Sequence, residues 1–393
     1  MKKVIILLSF LLSITSAQSQ TSLEDVGIAK YAVLEVLDDR TPLREKTNEN
    51  SNRITHLFKN AVLFADKQTQ DNYRVELKEN NFAWINKKFV EVQAIIPEKR
   101  FDNIEKIIFK KYRNYDLIKI ETPSHSPFIV KEDGANLDLT LFDNRFDPTY
   151  SKIINYSYKF SIPNKITNEF DLKYYGTSIP FGYDFEKTNK GYIFKIKKAP
   201  KIIKNKPLKN ITVVVDAGHG GEEMGVQAFG LNEKDINLQI SKILKKELEK
   251  KGAKVYLTRK KDKTVSLIER INFAKEKKGD ILLSIHQNSL ANIKNVDIKH
   301  GTGTYYYHPQ AKPLAEKIHE NMLLATNFKD DKVNHASFAL TRPTSQISVL
   351  VECGYLIKAD EAFKLKDKEF QKGIAKAITK GTEEYLIENY GNL

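Results

Sequence analysis

Cysteine is almost missing from this chain. Cys353 is the only one among 393 residues, so no internal disulfide can form. It lies in the apolar run ISVLVECGYL, where a thiol packs as a small hydrophobe; a nucleophile beside Glu352 is the alternative. Long apolar runs are missing too. Beyond residue 17 none approaches the roughly 20 residues that cross a bilayer as a helix, so no transmembrane segment is expected in the mature chain. No nucleic-acid motif is present, and nucleic acid is not an expected partner. Tryptophan occurs once, as Trp84.

What is present begins with residues 1–17, MKKVIILLSFLLSITSA. Two lysines, an apolar core and a small-residue end have the form of a secretory signal cut near Ala17. The expectation is an exported protein, in the periplasm or at the cell wall. The formal net charge is +14, which suits an anionic wall polymer or a membrane surface. The length allows two or three domains at about 100–200 residues each.

Residues 26–95 carry short alternating segments: Ala32–Leu37, His56–Leu63, Tyr73–Leu77 and Phe82–Ile85. Thr41–Ile54 is expected to be a long polar loop. Short strands at this density predict a small barrel. The order of strand, LRE loop, N-R-I and A-W-I-N resembles a bacterial SH3-like domain, a type that usually helps to bind cell wall. Trp84 is read as barrel core, with a stacking role for sugar or peptide as the alternative. Residues 100–205 form a second β-rich, sandwich-like block of unassigned role. Leu137, Leu139 and Leu141 alternate with polar residues, as do Tyr192, Phe194 and Ile196. Ile153–Ile162 is expected to be one strand.

From residue 208 to 393 the rhythm changes to alternating strand and helix, which predicts a three-layer α/β domain with a mostly parallel sheet. Strands are expected at Ile211–Val215, Lys254–Thr258, Asp280–Ile285, Gly303–Tyr307 and Ile347–Val351. Helices are expected at Glu233–Lys251, from Ser266 to about Lys277, at Lys312–Ala325 and at Glu369–Asn389. Ser266-Leu267-Ile268-Glu269 is a capping box.

Three of these strands end at a chemically capable residue: His219, His286 and Glu352. Glu233 opens a helix. In a parallel sheet the carboxyl ends share one edge, where such folds place their sites. The glycines flanking His219 clear space beside its ring. Two histidines and one carboxylate, with one position left open, are the ligand set of catalytic Zn²⁺, which makes a nucleophile of a water at neutral pH. A second carboxylate can shuttle that water's proton. Glu222 and Glu223, nearer to His219 in sequence, rival Glu233 as the third ligand.

VVVDAGHGG, LNEKDINLQIS, LTRKKDKTVSLIERINFA, LLSIHQNS, GTYYYH and VLVECGYL occur in that order. Over roughly 208–390 the chain thereby resembles the zinc-dependent N-acetylmuramoyl-L-alanine amidases of the amidase 3 family. The resemblance implies a peptidoglycan substrate, cut between N-acetylmuramic acid and the L-alanine of the stem peptide. It also implies Zn²⁺ held by His219, Glu233 and His286, with Glu352 as the catalytic carboxylate. His56, His125, His300, His308, His319 and His335 match no ligand motif. Asn288 and Arg342 are weaker candidates near the site, and Arg259 and Arg270 are read as structural. Tyr355 stands where Phe is commoner, a change expected to be mild. Some relatives insert a helix that covers the zinc; the short connection Gln287–Thr302 predicts none here. No regulator is named by the sequence. A non-catalytic wall-binding or activator protein and a zinc peptidase or deacetylase are the alternative functions.

Overall fold

The computed structural model describes residues 21–22, 31–78, 80–290 and 297–391. The signal segment 1–17 lies outside them. So do residues 291–296 of the Gln287–Thr302 connection, where no covering helix was expected. No helix among the described residues is long and apolar enough to cross a membrane.

The carboxy-terminal half is one six-stranded sheet between helices. Its strands are β1 (Thr212–Ala217), β2 (Lys254–Leu257), β3 (Ile281–Asn288), β4 (Thr302–Tyr306), β5 (Asp330–His335) and β6 (Ile347–Tyr355). They lie in the order β2-β1-β3-β6-β4-β5. Every neighbouring pair is parallel except β6 with β4. Helices α1 (Glu233–Lys250), α3 (Lys312–Thr326), α4 (Ala359–Lys366) and α5 (Lys368–Tyr390) share one core with Val213, Val215, Leu283, Ile285, Val349 and Val351. Helix α2 (Leu267–Glu276) covers the other face, where Ala274 meets Val214 and Leu282. With both faces covered, central strands read as unbroken apolar runs. The Ser266–Glu269 capping box starts α2.

Two strands run further than their apolar stretches imply. β3 continues through His286, and β6 through Glu352 to Tyr355. Ladder pairing on both sides of β6 extends it: His286 pairs with Glu352 on one edge and Gly303 with Glu352 on the other. The polar edge strand β5 and the short helix α4 carry too little apolar periodicity to be read from sequence.

Residues 31–96 form an antiparallel sheet around Leu34, Leu43, Leu63, Val75, Ala83 and Ile85. Thr41–Arg44 and Arg53–Leu57 are paired strands, where a single loop was expected. Buried Leu43 and Leu57 anchor them, and only the turn between is polar. Trp84 is not in this core. Ala83 and Ile85 point inward, and alternation along a strand turns Trp84 to the opposite face. Residues 102–197 form two larger sheets across one core, Ile107, Phe109, Ile118 and Ile120 facing Leu137, Leu139, Phe170 and Leu172, with a small third sheet pairing Asp102–Asn103 and Asn144–Arg145. The strand expected over Ile153–Ile162 is broken into Lys152–Ile154 and Phe160–Ser161, which join different sheets. Asn155, at a left-handed φ of 54°, turns the chain between them.

The β-region is stitched to the α/β half. Tyr183 N donates to Thr344 O at 2.7 Å. Lys197 pairs with Asp280 at 2.5 Å. Glu132 meets the His308 ring at 2.8 Å and accepts from the backbone N–H of Gln310 at 2.8 Å. Phe181, fully buried, belongs to the α/β core and packs edge-on against Tyr390 at 5.2 Å.

Candidate metal centre

The loop after β1 holds His219 in a left-handed conformation, φ 59°, with Gly220 and Gly221 also at positive φ. Three buried side chains hold this loop. Arg259 donates to the carbonyls of Ala217 and Gly218, at 2.9 and 3.0 Å. Arg270 donates to Ala217 O and His219 O, at 2.7 and 2.8 Å. Asp216 accepts from Arg270, Thr258 and Ser284, at 2.7, 2.6 and 2.8 Å. Asp216 carried no expectation from sequence, although an acid inside an apolar strand is itself a signal. The charged network pushes its carboxyl below the usual range despite full burial. Asp216→Ala leaves Arg270 with an uncompensated buried charge. An unfolding free energy about 3–5 kcal/mol lower is expected in a urea titration.

Glu233, at the first turn of α1, is 2% exposed. Its Oε2 lies 3.2 Å from His219 Nε2, and its Oε1 lies 3.0 Å from His286 Nδ1. The N–H groups of Val226 and Gln287 donate to it at 2.9 and 3.1 Å, and Asn237 Nδ2 at 3.1 Å. Burial opposes its ionisation, yet the two imidazoles beside it hold the carboxyl well below the ordinary range. Burial disfavours a charged His286, but Glu233 and Glu352 hold its pKa above normal.

One donor atom from each of His219, Glu233 and His286 lies within 4.8 Å of the other two. Tetrahedral ligands about 2 Å from one zinc ion sit roughly 3.3 Å apart. His219 and His286 approach different oxygens of Glu233, at 3.2 and 3.0 Å, and the three side chains are close enough to converge on one ion. Glu222 and Glu223 are exposed and stand outside this group. Gly218 makes the approach possible, because a Cβ there would collide with the His286 ring. Gly218→Ala is expected to weaken zinc binding about 10–100-fold in a competitive chelator titration, as displaced supporting groups do.

Glu352 is the cross-strand neighbour of His286. Burial raises its pKa from the ordinary 4.5 to about 8; His286 opposes the shift, while Glu233 and Asp331 add to it. Its Oε2 is buried without a partner among the described residues. Beside it, Asp331 accepts from Tyr355 Oη at 2.7 Å and from Asn288 Nδ2 at 3.4 Å. Asn288 Nδ2 also reaches Tyr305 Oη at 3.3 Å. The Tyr355 hydroxyl, which Phe would lack, thus engages a buried carboxylate. Asp331 had no sequence signal, lying on the polar edge strand.

The remaining histidines are engaged elsewhere. His300 faces Glu361, His319 Asp330 and His308 Glu132. His56 lies beside Arg53, while His125 and His335 meet the carbonyls of Thr188 and Tyr307. Arg342 precedes β6, five residues before that strand begins, and its guanidinium donates to Ser337 O. Cys353 is buried in the helix-covered core, and burial pushes its thiol up, away from nucleophilic use.

Two imidazoles and a carboxylate at the carboxyl edge of a mostly parallel sheet, with a second acid alongside, define a candidate hydrolytic metal centre. Residues 213–384 match the family model described as N-acetylmuramoyl-L-alanine amidase. The chain is 33% identical over 178 residues to the N-acetylmuramoyl-L-alanine amidase CwlM of Bacillus licheniformis, covering 44% of this chain and 67% of that one. It is 34% identical over 192 residues to the amidase LytC of Bacillus subtilis, covering 48% of this chain and 38% of LytC. The solved catalytic domain of the amidase CwlV of Bacillus (Paenibacillus) polymyxa is 33% identical, with 45% of this chain and 98% of that one covered and a TM-score of 0.42. The chain belongs to the N-acetylmuramoyl-L-alanine amidase family.

Proposed function

We propose that this protein hydrolyses the amide between the lactyl group of N-acetylmuramic acid and the L-alanine of the peptidoglycan stem peptide, with His219, Glu233 and His286 holding Zn²⁺. Peptidoglycan amidase activity follows from family membership; the metal and the residue roles are our assignment. The single observation that carries the assignment is the meeting of β3 and β6, which sets Glu352 beside His286 while Glu233 reaches both histidines.

Zn²⁺ held by His219, Glu233 and His286 would supply Lewis acidity toward the amide carbonyl and the attacking water. Glu352 accepts a proton from the attacking water. The hydroxyl joins the lactyl carbon, the C–N bond breaks, and Glu352 returns the proton to the departing alanyl nitrogen. Asn237 and the backbone N–H groups of Val226 and Gln287 hold Glu233 ionised and oriented. Arg259 and Arg270 hold the loop that aims His219. The surrounding burial strengthens each of these electrostatic interactions.

Residues 1–17 are taken as an export signal, which fits a wall substrate. Residues 26–95 are taken as an SH3-like domain, 100–205 as a supporting β-sandwich and 208–393 as the catalytic domain. The test incubates the full mature chain with Zn²⁺ and purified peptidoglycan and analyses the products by mass spectrometry. Free stem peptides beginning at L-alanine are expected. Cleavage only within the peptide, or only at the sugar N-acetyl group, would overturn the assignment.

A further inference from the structure

Arg40, Arg44, Arg53 and Arg342 gather where the first β-domain approaches the catalytic domain. Strand Arg53–Leu57 packs on Phe128–Asp133, whose Glu132 holds His308; His308 Nε2 in turn lies 2.9 Å from Arg342 O. Arg40 Nη2 donates to Asn272 of α2 at 3.3 Å, a second tie across the junction. None of the four makes an ion pair within 4.0 Å among the described residues. Arg44 donates to Ser51 O, Arg53 lies 3.1 Å from His56 Nε2, and Arg342 donates to Ser337 O. Asp38, Asp39 and Glu49 also line the cleft; Asp39 pairs with Lys187 and Glu49 with Lys88, and Glu49 lies in the field of Arg44 as well.

Like charges so placed repel one another, and the cluster is under-neutralised. Its effect is visible on His56, whose pKa falls to about 4 through burial and then the positive field of Arg53, Arg342, Arg40 and Arg44. Arg40, Arg44 and Arg53 line a cleft of about 370 Å³ whose wall includes Trp84 and Phe89. Guanidinium forks fit carboxylates bidentately, and aromatic faces suit the peptide or sugar that carries them.

A chain of contacts runs from Arg342 to Asn288, two residues after His286. Tyr305, held to Asn288, packs against Phe338 at 5.4 Å. Phe338 O accepts from the backbone N–H of Arg342 at 3.2 Å. We propose that the four arginines form a subsite for carboxylates of the substrate's stem peptides, fixing the wall strand relative to the metal centre. This rests on the amidase reading above. Stem carboxylates are favoured over wall-polymer phosphates because they travel on the same strand as the scissile bond.

The test compares the full chain with the Arg53→Gln/Arg342→Gln variant on soluble peptidoglycan fragments, native or with carboxyls converted to carboxamides. On native fragments the variant's KM is expected to rise about tenfold, with kcat within about twofold. On carboxamide fragments the wild type should already show the raised KM, and the variant no further change. Equal melting temperatures establish that the variant folds. An unchanged KM overturns the proposal, as does an equal rise on both substrates. Competition by a phosphate-rich wall polymer, with no preference for carboxyl over carboxamide fragments, also overturns it. Binding of the fragments to zinc-free protein, followed by calorimetry, separates the two readings. Arginine-dependent binding without stem-peptide release refutes the amidase assignment alone. Release that ignores the arginines refutes the subsite alone.

Discussion

Glu352→Ala is expected to lower turnover about 10³-fold on peptidoglycan while leaving bound zinc unchanged by metal analysis. General acid–base groups typically contribute 10²–10⁴-fold, and Glu352 is not among the three grouped donors. Its burial costs the fold something as well, because one carboxylate oxygen lacks a partner among the described residues. The metal-free Glu352→Ala protein should therefore melt no lower than wild type. The sign of the pH effect follows from the raised pKa. Burial lifts Glu352 from 4.5 to about 8, so the folded chain holds this proton more tightly than the unfolded chain. Such a group favours the fold at low pH, and that contribution is lost as pH rises. Between about pH 4.5 and 8 metal-free wild type should lose stability relative to Glu352→Ala. A parallel pair of stability curves across that window would refute the burial argument. Retained turnover in the variant would remove Glu352 from the mechanism.

His219→Ala is expected to abolish both properties. Removing one of three donors should weaken zinc binding at least about 100-fold, beyond the usual cost of losing a supporting group. Activity should fall to background. Chelation of wild type followed by added Zn²⁺ should restore it, and the same treatment should not restore His219→Ala. Zinc binding unaffected by the substitution would exclude His219 as a ligand.

The contrast between these two variants shows what could be read from the chain. His219, His286 and Glu352 were findable because each follows an apolar run, and runs of that kind mark strands covered on both faces. Glu233 was findable because it opens a periodic helix. The strand ends themselves were not legible. β3 and β6 extend through His286 and Glu352 because neighbouring ladders pair with them, a nonlocal cause. Trp84 was misplaced for a different reason. Its aromatic bulk suggested core, but the phase of the strand, set by Ala83 and Ile85, turned it outward. Asp331 gave no local signal, since its importance comes only from Tyr355 and Asn288 across the sheet.

Phe181 has a consequence for how the gene can be rearranged. Its ring fills the interior of a half of the protein that starts some thirty residues later, against Tyr390 near the other end of the chain. A fragment beginning at residue 205 would be missing part of its own filling and would bare the seam around His308 and Thr344. The modules here are not interchangeable beads. Swapping the front half for that of a relative would demand an aromatic plug of matching size, or the recipient enzyme would unfold at a lower temperature than either parent.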